Sequence, residues 1–218
     1  MPGSWAFLLP LNQGGINMNE VKVRSRFKTR NITRVAVLSV IAFVLMNIKT
    51  PLGFIAPSFM KLDISDMPVL IGAFTMGPIC GIITALIKNI LKIIIAGSDT
   101  GLVGELSNFI LSSAFAVTAA LFYKKHRTFK GAIISLVIGI ITMTIFAMIS
   151  NYFFIFPLYG KIMPMEAIIS MCAKINANIK DLKDIMLYIV LPFNIVKGTI
   201  TAIFTIFIYK HVRPALKD

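Results

Sequence analysis

The chain has 218 residues, of which 57% are hydrophobic and only 14% charged, with a formal net charge of +13. A soluble domain carries about 25% charged residues, and the apolar residues here come in runs approaching the roughly 20 that span a bilayer, so composition excludes an ordinary soluble globule. Nucleic-acid binding is excluded as well: more than half of the lysines and arginines fall in three clusters beside apolar runs, and no nucleic-acid motif accompanies them.

Residues 1–17 lack the basic start of a signal peptide. Gln13-Gly14-Gly15 reads as a translated ribosome-binding site, which makes Met18 the expected native start. The expected organisation is a basic N-terminal segment over 1–31, a membrane domain over 32–211 and a basic tail over 212–218.

The first span is predicted over Ile32–Ile48. A loop rich in Pro, Gly and aromatics follows, Thr50 to Phe59, and leads into Lys61, Asp63 and Asp66. Met67 to Ile95 is then almost wholly apolar but carries Gly77-Pro78, a turn signal. If that stretch were one helix, the cluster Lys124, Lys125, Arg127 and Lys130 would lie opposite the cluster Lys22–Arg34. Basic residues collect on the cytoplasmic side of spans. A turn at Gly77-Pro78 puts both clusters, and Lys210, Arg213 and Lys217, on one side. The predicted fold is therefore all-α, with six transmembrane helices, both termini cytoplasmic, multi-pass in the cell membrane. The same bases attract anionic lipid headgroups.

The second span holds about ten to thirteen residues, roughly 15–20 Å at 1.5 Å per residue, against an apolar core of about 30 Å. Either neighbours shield it or residues before Asp66 extend it. The fourth, fifth and sixth spans are predicted over Leu102–Tyr123, Gly131–Phe154 and Ile185–Tyr209. Between the last two, Met165–Ile175 reads as a short amphipathic helix and candidate lid, or else as part of a solvated loop. Cys80 and Cys172 fall on opposite sides, so no disulfide is expected, and they have no metal-ligand spacing.

Lys88, Lys92 and Lys197 interrupt apolar spans. A central lysine costs about 2.5–3.5 kcal/mol on insertion scales, so such residues face a cavity or a partner. Lys88 and Lys92 share a helix face at i,i+4; snorkelling is the alternative, best suited to Lys92 near its span's end. In Pro192-Phe193-Asn194-Ile195-Val196-Lys197-Gly198, Asn194 and Lys197 point one way at i,i+3, and Pro192 is expected to kink the helix. An interhelical hydrogen bond is the alternative role for Asn194. Glu105 and Asn108 are also i,i+3, just inside the fourth span, where Glu105 is alternatively a first-turn acid favoured by the helix dipole. Asn151 stands beside Tyr152 and Phe153, which are either ring-stacking residues or interfacial belt.

Together Lys88, Glu105, Asn108, Asn151, Asn194 and Lys197 fall at one depth towards the outer face. Amides supply both donors and acceptors, and Phe59, Tyr152 or Phe153 could stack on a ring. The expected ligand is uncharged, hydrogen-bonding and partly aromatic. No HExxH, Ser/His/Asp set or phosphate loop occurs, so no catalysis, metal or ATP motor is expected in this chain. Energy must come from an ion gradient or another subunit.

The stretch Asp63-Ile64-Ser65-Asp66-Met67-Pro68-Val69-Leu70-Ile71-Gly72-Ala73-Phe74-Thr75-Met76-Gly77-Pro78, with Gly81 and Lys88 beyond it, resembles the second-span signature of the substrate-binding S components of energy-coupling factor (ECF) transporters. From about Arg24 onward the small size, basic start and long first loop are similar too. Through Pro192–Gly198 the chain most resembles the riboflavin-binding members. The resemblance implies riboflavin as transported ligand rather than cofactor, with Asn194 and Lys197 at the isoalloxazine edge. It also implies a transmembrane coupling subunit and two ATPase subunits as partners. Family members dock on the coupling subunit through AxxxA on the first span, where this chain has Ala36, Ser39 and Ala42 instead. The competing readings are an S component for another vitamin, a standalone gradient-driven carrier or channel, and, remotely, a membrane enzyme.

Overall fold

The computed structural model describes residues 29–216, with side chains for 30–209. The expected start at Met18 and the basic residues 22–28 lie outside the described residues. Helix α1 (Thr29–Asn47) leads into two-residue antiparallel strands, β1 (Thr50–Pro51) and β2 (Lys61–Leu62), with Thr50 opposite Leu62. Helices α2 (Asp66–Met76), α3 (Pro78–Leu91, extended by a π turn at Lys92–Ala96) and α4 (Val103–Lys125) follow. Helix α5 runs Phe129–Ser150, passes through a π turn at Asn151–Ile155 and ends in Phe156–Tyr159. Helix α6 is Met165–Ala173. Helix α7 starts at Leu182–Ile185, passes through a π turn at Met186–Val190 and continues over Leu191–Leu216.

The expected break at Gly77-Pro78 is present. Gly77 has φ +102°, a conformation that only glycine adopts without strain, and Pro78 opens α3, where its missing N–H costs nothing. The expected six spans are met only in part. Among the described residues, five helices are long and apolar enough to cross a membrane, within Arg30–Asn47, Pro78–Ala96, Val103–Lys125, Phe129–Tyr159 and Leu182–Tyr209. Helix α2 has 11 residues, roughly 16 Å. Residues before Asp66 do not lengthen it, because the Asp63 carboxylate accepts both the Ser65 N–H (2.9 Å) and the Ser65 hydroxyl, an Asx turn that holds the chain out of helix. Neighbours shield it instead: Asp66 through Ala73 are all buried, against α1, α3, α4 and α7.

The helices are patterned by size rather than polarity. Small residues face inward, including Ser39, Ala42, Ala85, Ala116, Ala119 and Ala147, while Val40, Ile90, Phe146 and Phe207 face outward. Lipid tails are as apolar as leucine, so helices associate through close packing of small residues. A Cβ placed on Gly81 would lie 2.8 Å from Ala73 Cβ and 3.1 Å from Ala116 Cβ, so this glycine lets α2, α3 and α4 meet. The same pattern decides how the small residues of α1 are turned. Ser39 and Ala42 are fully buried inside the chain, and of the three small residues on α1 only Ala36 is exposed.

Both π turns in α5 and α7 end just before a proline. Phe156 N–H reaches Asn151 O and Leu191 N–H reaches Met186 O, one residue further back than in an α-helix, ahead of Pro157 and Pro192. A proline ring clashes with the carbonyl four residues before it, and the wider turn relieves that clash. The kink expected at Pro192 is thus realised as a π turn. Cys80 and Cys172 are both free and buried, and the expected short helix at Met165 is present.

Gly81→Val should lower the thermal midpoint in detergent by several degrees, since overpacking costs about 1–3 kcal/mol. Gly53→Ala, whose added Cβ meets nothing within 4 Å, should leave it unchanged. Equal midpoints would contradict this packing.

Candidate functional site

Asp66 opens α2 deep among the helices, 2% exposed. Its carboxylate accepts Lys88 Nζ of α3 at 2.5 Å and lies 3.7 Å from Lys197 Nζ of α7. Asp63, just before it, accepts Lys197 Nζ at 3.3 Å. Two carboxylates therefore face two ammonium groups. A buried charge is tolerated only when it is paired and its remaining hydrogen-bonding capacity is filled. Lys88 meets that condition fully: its other two bonds go to the Ser65 hydroxyl (2.8 Å) and the Ser112 hydroxyl (3.1 Å). The Ser112 hydroxyl donates in turn to Asp66. The loop, α2, α3, α4 and α7 are joined at this one cluster.

Two adjoining cavities lie over it. The first, about 110 Å³, has an aromatic wall of Phe59, Phe156, Tyr159 and Phe193 and a polar wall of Asp63, Asn108, Asn151, Asn194 and Lys197. The second, about 380 Å³, is lined by Lys49, Lys61, Asp99, Thr100 and Glu105, and shares Phe59, Asp63 and Asn108 with the first. Together they fall within the range of about 300–1,000 Å³ usual for small-molecule sites. The loop before α2 is non-helical backbone among spanning helices, which is tolerated where it lines a cavity.

Of the residues singled out in the sequence, Phe59, Asn108, Asn151, Asn194 and Lys197 line the first cavity, and Glu105 lines the second. Lys88 lines neither, and all three of its N–H groups are committed within the cluster. Asn151 Nδ2 donates to Ala147 O and Asn194 Nδ2 to Val190 O, each at 2.8 Å. No described residue donates to either side-chain carbonyl, so each amide is left with an acceptor. Glu105 stands in the first turn of α4 and accepts the Ser98 hydroxyl at 2.7 Å. Lys92 lines neither cavity; its ammonium donates to Gly97 O at 2.8 Å, just past the end of its helix.

Tyr152 and Phe153 do not line the cavities, and Phe153 is 64% exposed. Phe156 and Tyr159 take their place, with the Phe59 ring 5.3 Å from Tyr159 and 6.4 Å from Phe156. The π turn brings Phe156, five residues after Asn151, to the cavity beside it. Asp63 and Asp66 escaped notice as lysine partners because they precede the span rather than interrupt it.

At the mouth, Asp99 bridges Lys49 (3.2 Å) and Lys61 (4.0 Å), tying the β1–β2 hairpin to the loop after α3. The Lys49 hydrogen bond and charge hold the Asp99 carboxyl below its usual range. This tie is therefore complete at neutral pH and is lost only as pH falls through that lowered value. Among the described residues no group of three His, Cys, Asp or Glu side chains is placed to hold a metal.

Lys88→Met should lower thermal stability by about 3–5 kcal/mol, the cost of stranding one member of a buried pair. The neutral double variant Lys88→Met/Asp66→Asn should recover part of that loss. An unchanged midpoint for the single variant would show that the pair does not hold α2 in place.

The family described as ECF transporter, substrate-specific component, matches residues 30–209. The chain is 38% identical over 200 residues to the riboflavin transporter RibU of Staphylococcus aureus, covering 92% of this chain and 99% of that one. It is 36% identical to the riboflavin transporter FmnP of Bacillus subtilis, covering 84% and 92%. A solved S component of a bacterial ECF transporter aligns with a TM-score of 0.69 at 37% identity, covering 87% of this chain and 99% of that one. This multi-pass membrane chain is an S component of an ECF-type importer, similar to the riboflavin transporters, and belongs to a transport family rather than to an enzyme family.

Proposed function

We propose that this chain binds riboflavin, or a closely related flavin, in the cavity between the Thr50–Lys61 loop, α4, α5 and α7, from the outer side of the cell membrane. The observation that carries the proposal is the facing of an aromatic wall, Phe59, Phe156 and Tyr159, against an amide-rich one, Asn108, Asn151 and Asn194 with Lys197. A flavin ring is flat, with one apolar end and one edge of alternating carbonyl and N–H groups. The side-chain carbonyl of Asn194 suits a ring N–H, because its NH₂ is engaged by Val190. The Lys197 ammonium suits a ring carbonyl. The polyol chain of riboflavin then extends towards Glu105, Thr100 and Lys61 in the wider second cavity. The names of the two relatives above support the same ligand.

In this proposal α2 is the sixth, half-length crossing segment, and both termini are cytoplasmic. The three basic clusters support that orientation through the positive-inside tendency. With no phosphate loop of its own, the chain works with a transmembrane coupling subunit and two ATPase subunits. Helix α6 covers the outer mouth. The channel reading is less well supported, since Lys88 lines neither cavity and is held by Asp66, and Lys197, which does line one, is paired with Asp63.

Riboflavin titrated into the detergent-purified chain should bind at nanomolar concentration with quenching of its fluorescence. Asn194→Ala and Lys197→Ala should each weaken binding by at least about tenfold, the equivalent of about 1.4 kcal/mol, without blocking membrane insertion. Wild-type affinity in both variants, or no flavin binding at all, would reject the site or the ligand respectively.

A further inference from the structure

A second cleft, of about 430 Å³, lies at the opposite end of the molecule, between the α2–α3 turn and the end of α4. Its floor is apolar, made by Ala73, Phe74, Met76 and Ala120, and Lys124 and Arg127 stand on its rim. It exists because the chain reverses at Gly77 while Ala73 and Ala120 offer only methyl groups to the space below. An aromatic wall bounds it. The Phe74 ring lies 4.7 Å from that of Tyr123, and the Tyr123 and Tyr209 hydroxyls are 2.9 Å apart. Tyrosines at the ends of spanning helices mark the headgroup level of a bilayer.

Nothing in the flavin-binding reading uses this cleft. Among the described residues, no carboxylate lies within ion-pair distance of Lys124 or Arg127; the carboxylates in ion pairs are Asp63, Asp66 and Asp99. Among the described residues, the cleft thus offers positive charge without a carboxylate partner beside apolar surface. It opens beside Ile79 and Leu121, 61% and 50% exposed, on a face that meets acyl chains. An occupant with an anionic head and an apolar body, arriving from the bilayer, matches both halves.

We propose that this cleft binds one anionic phospholipid, with its phosphate between Lys124 and Arg127 and part of an acyl chain against Phe74 and Ala120. Bases near the membrane surface attract such headgroups. The floor converts that general attraction into a defined site. A lipid held there braces the turn at Gly77 and so the inner end of α2.

The test uses the delipidated full chain in detergent, with native mass spectrometry of bound phosphatidylglycerol and of phosphatidylcholine with the same acyl chains. One phosphatidylglycerol per chain should bind at least about tenfold more tightly than phosphatidylcholine. Lys124→Gln/Arg127→Gln should erase the difference. Lys130→Gln, an exposed base of the same segment outside the cleft, should keep it. Riboflavin binding, read in parallel, reports that the double variant is folded, and the comparison of the two lipids on the unaltered chain stands without it. Equal binding of the two lipids, or full selectivity in the double variant, would overturn the proposal. So would displacement of the bound phosphatidylglycerol by inorganic phosphate alone, which would mark a free-anion site. Loss of coupling-subunit binding in the double variant, with lipid selectivity intact, would assign the cleft to a protein.

Discussion

Two carboxylates buried among membrane helices govern the rest of this structure. Asp63 and Asp66 can remain there only opposite equal positive charge, which Lys88 supplies from α3 and Lys197 from α7. Ser65 and Ser112 fill the hydrogen bonds that the ions leave over. Because the cluster sits among the long apolar helices, α2 begins there and runs for only 11 residues. The space above it is left to a loop and a cavity. The shortness of α2 and the presence of a binding site are thus one fact.

The two ends of the molecule are built by different rules. Around the cavity the helices are interrupted: π turns in α3, α5 and α7 break the regular register, and polar side chains face inward. Such turns recur at functional sites in helices, and two of these three follow from Pro157 and Pro192. At the other end, packing relies on alanine and glycine contacts such as Gly81 against Ala73, with a tyrosine pair near the surface. The first arrangement gives up regularity to hold polar groups in place, while the second holds the bundle together.

Much of this was legible from residue order. The Gly77-Pro78 break and the long apolar helices followed from apolar runs and charge placement. Five of the expected ligand residues line the first cavity, and Glu105 lines the second. Three features were not legible. Periodicity gives no warning of a π turn, so nothing in the residue order pointed to Phe156, and Tyr152 and Phe153 were singled out only for standing next to Asn151. A lysine inside a span looks the same whether it awaits a ligand or a carboxylate, and for Lys88 it is a carboxylate from a different segment. Helix rotation about its axis is set by packing, so residue order left open which way the small residues of α1 turn, and Ser39 and Ala42 face the core.

Membership of the ECF substrate-specific family fixes what kind of machine the chain serves, while the cavity's two walls bear on what it carries. An aromatic face opposite amide acceptors and an ammonium group is a demanding combination, and it is the basis for assigning a flavin. The most direct measurement is the identity and stoichiometry of the small molecule that co-purifies when the chain is extracted from cells without added ligand, read by absorbance and mass spectrometry. The account predicts a yellow preparation carrying up to one flavin per chain. A colourless preparation bearing a different vitamin in the same amount would contradict it.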